Sequence, residues 1–83
     1  MSERYYLTVR SVTYGQRGQR ALQARGMDCR LSRTPRWMEQ RGCGYALEVK
    51  DGKLAAAILQ EAGIAWEKLY RLEGERRARE VEL

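Results

Sequence analysis

Hydrophobic and polar positions along this chain change period several times, and each change marks a predicted element. Tyr5-Tyr6-Leu7-Thr8-Val9-Arg10 combines aromatic and β-branched residues, which predicts a first strand. Ser11 or Thr13 can then cap a helix from about Tyr14 to Arg25, with Gly18, Ala21 and Leu22 on one face. Gly26 closes it, where a left-handed residue commonly ends a helix. Met27, Cys29 and Leu31 alternate with Asp28, Arg30 and Ser32, the period of a half-buried strand, and Pro35 stops it. Residues 34–44 form a connection longer than a tight hairpin, with room for one helical turn after Pro35. A third strand runs from Tyr45 to Lys50, and Asp51-Gly52 ends it. Leu54, Ala55, Ile58, Leu59 and Ala62 trace a helical stripe that Gly63 closes, and Ile64 to Leu72 supplies a last strand.

The order β-α-β-β-α-β is the split-βαβ or ferredoxin-like plan, an α+β fold with two helices on one face of a four-stranded antiparallel sheet. Residues 1–72 are expected to form that single domain. Residues 73–83 read as a charged tail, disordered or a short solvated helix, that adds little to the core. Gly15-Gln16-Arg17-Gly18 faintly resembles a phosphate loop, but it lacks the Gly-Lys-Ser/Thr ending and is expected to open an ordinary helix.

A chain of 83 residues supports one marginal core, so any chemistry is expected at the surface or with a second protein. No histidine is present, which removes histidine acid–base catalysis and the commonest zinc-ligand sets. Two cysteines alone do not make a tetrahedral site, and neither a metal nor a cofactor is expected. The first residues mix charges with aromatics and contain no secretory apolar run. Leu54 to Leu59 is far shorter than the roughly 20 residues that span a bilayer, so a soluble, cytoplasmic protein with free thiols is expected. The formal charge is +5, and residues 1–50 carry ten basic against four acidic side chains, including Arg25, Arg30, Arg33, Arg36 and Arg41. Such a cluster suits an anionic partner, although arginine-rich surfaces are also ordinary.

Cys43, within Gly42-Cys43-Gly44, is the best candidate for chemistry. In the ferredoxin-like plan the third strand starts at the end of the sheet where the first helix begins, which places Cys43 near Ser11 to Gly15. A helix N-terminus and the neighbouring Arg36 and Arg41 favour a thiolate. Gly42 and Gly44 give access to the sulfur and supply amides for an anion, and Thr13 lies in the opening of the helix. Loop cysteines are nevertheless common, and Cys29, between Met27 and Leu31, has the pattern of a core residue. Trp37 and Met38 suit either a partner contact or a lid folded back over the sheet edge, whereas Trp66 and Tyr70 read as structural.

Tyr5-Tyr6-Leu7, Gly26-Met27-Asp28-Cys29-Arg30-Leu31, Thr34-Pro35-Arg36, Cys43-Gly44-Tyr45-Ala46-Leu47 and Glu61-Ala62-Gly63-Ile64 together resemble the DUF3343 family of selenium/sulfur carrier-like small proteins. The resemblance implies that Cys43 is the carrier thiol and draws Thr34 and Pro35 into its binding surround with Gly42, Gly44 and Thr13. It departs from the family at Glu39-Gln40-Arg41-Gly42, where small residues and serine are usual, and at Cys29, where an aliphatic is usual. The implied role is stoichiometric: Cys43 takes sulfur or selenium from a donor enzyme, such as a cysteine desulfurase, as a persulfide or selenopersulfide and passes it to an acceptor protein. The competing reading is a non-catalytic module, either a basic RNA-binding domain or a ligand-sensing or dimerisation domain. Tyr6, Tyr45 and Tyr70 could supply rings to RNA on an open sheet face, but no RNP-like segment is present.

Overall fold

The computed structural model describes residues 3–38 and 44–82. Chain order is β1 (Tyr5–Val9), α1 (Val12–Ala24), β2 (Arg30–Arg33), β3 (Tyr45–Val49), α2 (Gly52–Glu61), β4 (Leu69–Gly74) and β5 (Arg77–Val81). The strands form one sheet in the order β2-β3-β1-β4-β5, with every neighbouring pair antiparallel.

Each helix is bounded by the same chemistry. Ser11 caps α1, its Oγ accepting from the Tyr14 N–H at 3.4 Å, and Asp51 caps α2, its Oδ1 accepting from the Leu54 N–H at 3.1 Å. At the other end Gly26 (φ 81°) and Gly63 (φ 72°) turn the chain left-handed. The N–H groups of Gly26 and Met27 donate to the carbonyls of Gln23 and Leu22, and those of Gly63 and Ile64 to the carbonyls of Gln60 and Leu59. These are two Schellman motifs, and each carries its hydrophobic contact inward through Met27 or Ile64.

Both helices cover the face bearing Leu7, Val9, Leu47, Val49 and Leu69, where Leu22, Ala55 and Leu59 complete the core. Each fully buried leucine contributes about 1.5–3 kcal/mol of transfer free energy. Gly15 and Gly18 lie inside α1 on this face, so the segment is an ordinary helix, as expected, and not a phosphate loop. A Cβ on Gly18 would stand 2.8 Å from Leu47 Cδ1, so the missing side chain lets the helix sit close to the sheet.

Two expectations are corrected. The sheet has five strands instead of four, because Arg77–Val81, within the segment expected to be a disordered or helical tail, pairs with β4. The two-residue turn Glu75-Arg76 reverses the chain, Val81 packs against the core, and Glu73–Arg79 and Lys68–Glu80 pair across the strands. The fourth strand also begins later than expected, at Leu69, although Thr8 still exchanges backbone bonds with Glu67 and Lys68. Among the described residues no helix is long and apolar enough to cross a membrane.

Candidate functional site

Cys43, Gly42 and Arg41 lie outside the described residues, which stop at Met38 and resume at Gly44. The β2–β3 connection leaves the sheet at Thr34, whose N–H donates to the Gly44 carbonyl at 3.0 Å, so Gly44 brings the chain back beside its point of exit. A Cβ on Gly44 would stand 3.2 Å from Thr34 Oγ1, a close approach that favours glycine. Pro35 is half-buried and begins a turn closed by the Met38 N–H to its carbonyl at 3.0 Å; Arg36 is exposed within it.

The next residue after Gly44, Tyr45, pairs with Arg33 on one side and Val9 on the other. Val9 is followed by Arg10 and then by the Ser11 cap of α1. Both ends of the connection, the C-terminal end of β1 and the N-terminal end of α1 therefore share one end of the sheet. Thr34, Pro35, Arg36 and Gly44 stand together there, with Thr13 exposed in the first turn of α1. Ser11, and not Thr13, is the cap. On the other side of β1 the same end holds a cleft of about 240 Å³ between Arg10, Tyr14, Trp66 and Glu67, with Trp66 packed against the core.

Cys29 occupies the opposite end of the sheet. Its side chain is half-buried and free, and it packs against the core with Met27 and Leu31, as the alternation predicts. Burial pushes its thiol up from the ordinary 9.0 to about 11. At pH 7 that leaves roughly one thiolate in 10⁴, so Cys29 is a poor nucleophile.

The face of the sheet away from the helices carries Tyr6 and Tyr70, which are register partners on adjacent strands. Tyr45 does not join them, because it packs against the helix-side core. Trp37 and Met38 reach over this face to share a cleft with Tyr70 and the β4–β5 hairpin, and Trp37 remains 40% exposed. Of the two alternatives expected of these residues, the fold-back describes their position. The hairpin residues of this cleft escape a linear reading because they lie in the segment taken for a tail. The signal that could have found them is the alternation of Ala78 and Glu80 with Arg77, Arg79 and Val81 after Gly74.

Fold and site define a small α+β domain, two helices on an antiparallel sheet, with a cysteine-bearing connection anchored at the sheet end where the first helix begins. Residues 4–71 match the family described as "Putative Se/S carrier protein-like", and the chain belongs to that family. No curated protein and no solved structure matches it. The matched residues include the Cys43-Gly44 pair and stop before β5.

Proposed function

We propose that this protein carries sulfur or selenium on Cys43, within a ferredoxin-like unit of β1 to β4 that β5 extends. The observation that carries the reading is family membership over residues 4–71, which span the Cys43-Gly44 pair. Two features support it. Gly44 is held at the sheet end that also bears the N-terminus of α1, a local source of positive potential for a thiolate. Cys29, the other thiol, is driven toward its protonated form by burial.

The Cys43 thiolate attacks the outer sulfur of a persulfide on a donor enzyme such as a cysteine desulfurase. A new S–S bond forms to Cys43, the donor's S–S bond breaks, and its electron pair leaves on the donor's own cysteine thiolate. The outer sulfur moves at constant oxidation level, so no external oxidant is consumed. An acceptor protein removes it by the same exchange, and selenium follows the same course as a selenopersulfide. Arg36 and Arg41 stabilise the thiolate, while Gly42, Gly44, Thr34, Pro35 and Thr13 form its surround. The role is stoichiometric, and a reducing cytoplasm keeps the thiol available between transfers.

Mass spectrometry of the intact protein after incubation with a cysteine desulfurase and cysteine tests this. The wild type and Cys29→Ser should gain the mass of one sulfur atom, reversibly by reductant, and Cys43→Ser should not. A sulfur retained by Cys43→Ser, or none on the wild type with either a sulfur or a selenium donor, overturns the assignment.

A further inference from the structure

The cleft on the open face of the sheet has a composition that sulfur or selenium carriage does not require. It is an open cleft of about 470 Å³, within the range of roughly 300–1,000 Å³ typical of ligand sites. Trp37 and Tyr70 line it together with Arg76, Arg77, Arg79 and Glu73. The lining counts three arginines and one glutamate, a balance of +2, and that carboxylate is occupied, since Glu73 pairs with Arg79 at 3.5 Å. Among the described residues no carboxylate pairs with Arg76 or Arg77. Glu48 and Glu80, also on this face, pair with Arg4 and Lys68. Tyr6, directly across from Tyr70, continues the row of rings onto β1.

Arg76 sharpens the picture. It occupies the two-residue β4–β5 turn at φ 59°, a conformation that glycine or asparagine holds with less strain. Turn chemistry does not call for arginine there, whereas an anion over the cleft does.

We propose that this cleft binds a short stretch of single-stranded nucleic acid, with a base against Trp37 and Tyr70 and the adjoining phosphates against Arg76 and Arg77. Every base has a face to stack, so exposed rings beside arginines recognise a strand with little sequence preference. An acidic peptide would satisfy the arginines but leave the indole unused.

Fluorescence anisotropy with a labelled single-stranded oligouridylate tests the assignment, with oligothymidylate to separate RNA from DNA, a duplex, and polyglutamate as competitor. The wild type should bind the single strands more tightly than the duplex and resist polyglutamate. Trp37→Ala should weaken binding about 5- to 150-fold at unchanged salt slope, the loss expected of one stacked base. Arg76→Asn and Arg77→Gln should each flatten the logarithmic salt dependence by about 0.7, the share of one phosphate contact on a single strand. Cys43→Ser should bind as the wild type does, which keeps this site separate from thiol chemistry. No binding of either single strand at low salt overturns the proposal. So does binding that Trp37→Ala leaves unchanged, or that duplex or polyglutamate matches, because each means charge alone. Circular dichroism of each variant confirms that the fold persists.

Discussion

Arg76 pays for its left-handed backbone at φ 59° roughly 1–2 kcal/mol, the cost that a Cβ imposes there. Arg76→Gly should therefore stabilise the hairpin by about 1 kcal/mol, read as a higher urea midpoint at unchanged slope. A lower midpoint would mean that the Arg76 side chain holds the hairpin together. Cys29 shows the opposite balance, a residue whose packing determines its chemistry. Its thiol is raised from 9.0 to about 11 in the fold, so between these values the unfolded chain has lost its proton while the native one retains it. The contribution is fully present below pH 9 and is lost as pH rises toward 11. Cys29→Ala should consequently lose less stability than the wild type over that interval, as measured by urea midpoints at successive pH. Equal slopes would mean that burial does not govern this thiol. The core side of Cys29 was legible from its alternation with Asp28 and Arg30. What could not be read is which residues stand over Tyr70, because that depends on how the β2–β3 connection and the β4–β5 hairpin meet in space.

At the scale of elements, the glycines carry most of the information. Gly26 and Gly63 could be read as helix stops because each follows an apolar-periodic run, and both close Schellman motifs. No atom stands within 4 Å of a Cβ built on either, so alanine there should cost only the backbone term, about 1 kcal/mol at each site. Gly15 and Gly18 were less legible, since glycine within a helix lowers its propensity and points toward a loop. Their cause is tertiary: the helix must approach the sheet. The two should nevertheless respond differently to alanine. At Gly18 a Cβ meets Leu47 at 2.8 Å and Leu59 at 3.3 Å, both fully buried, so overpacking of about 1–3 kcal/mol outweighs the roughly 1 kcal/mol gained in propensity. At Gly15 the neighbour is the tip of Leu31, half-buried on the edge strand β2, which can turn aside. Chemical denaturation should find Gly18→Ala less stable than the wild type and Gly15→Ala unchanged or slightly more stable. The reverse order would mean that Leu31, not Leu47, is the rigid neighbour.

For the whole molecule, the division of charge along the chain misleads about its distribution in space. Residues 51–83 carry six basic and seven acidic side chains, yet the fold places Arg76, Arg77 and Arg79 together while Glu73 and Glu80 pair with Arg79 and Lys68. A strand made of Arg77, Ala78, Arg79, Glu80 and Val81 resembles a solvated tail because edge strands keep charge on their surface to discourage further pairing. Its pairing energy comes from β4, which no local pattern reveals. Removal of residues 74–83 tests this arrangement. Residues 4–71 carry the family match, so the shortened chain should still fold, with the four remaining strands and both helices intact. It loses the ladder to β4, the packing of Val81 and two cross-strand ion pairs, the pairs contributing about 0.2–1 kcal/mol each. A net loss of about 1–2 kcal/mol should lower the thermal midpoint by roughly 5–15 °C. The bared β4 edge, with Leu69 and Leu72 on opposite faces, should then make the chain self-associate as its concentration rises, which sedimentation would detect. An unchanged midpoint would mean that β5 pairs without stabilising, and complete unfolding would show that the four remaining strands depend on the fifth.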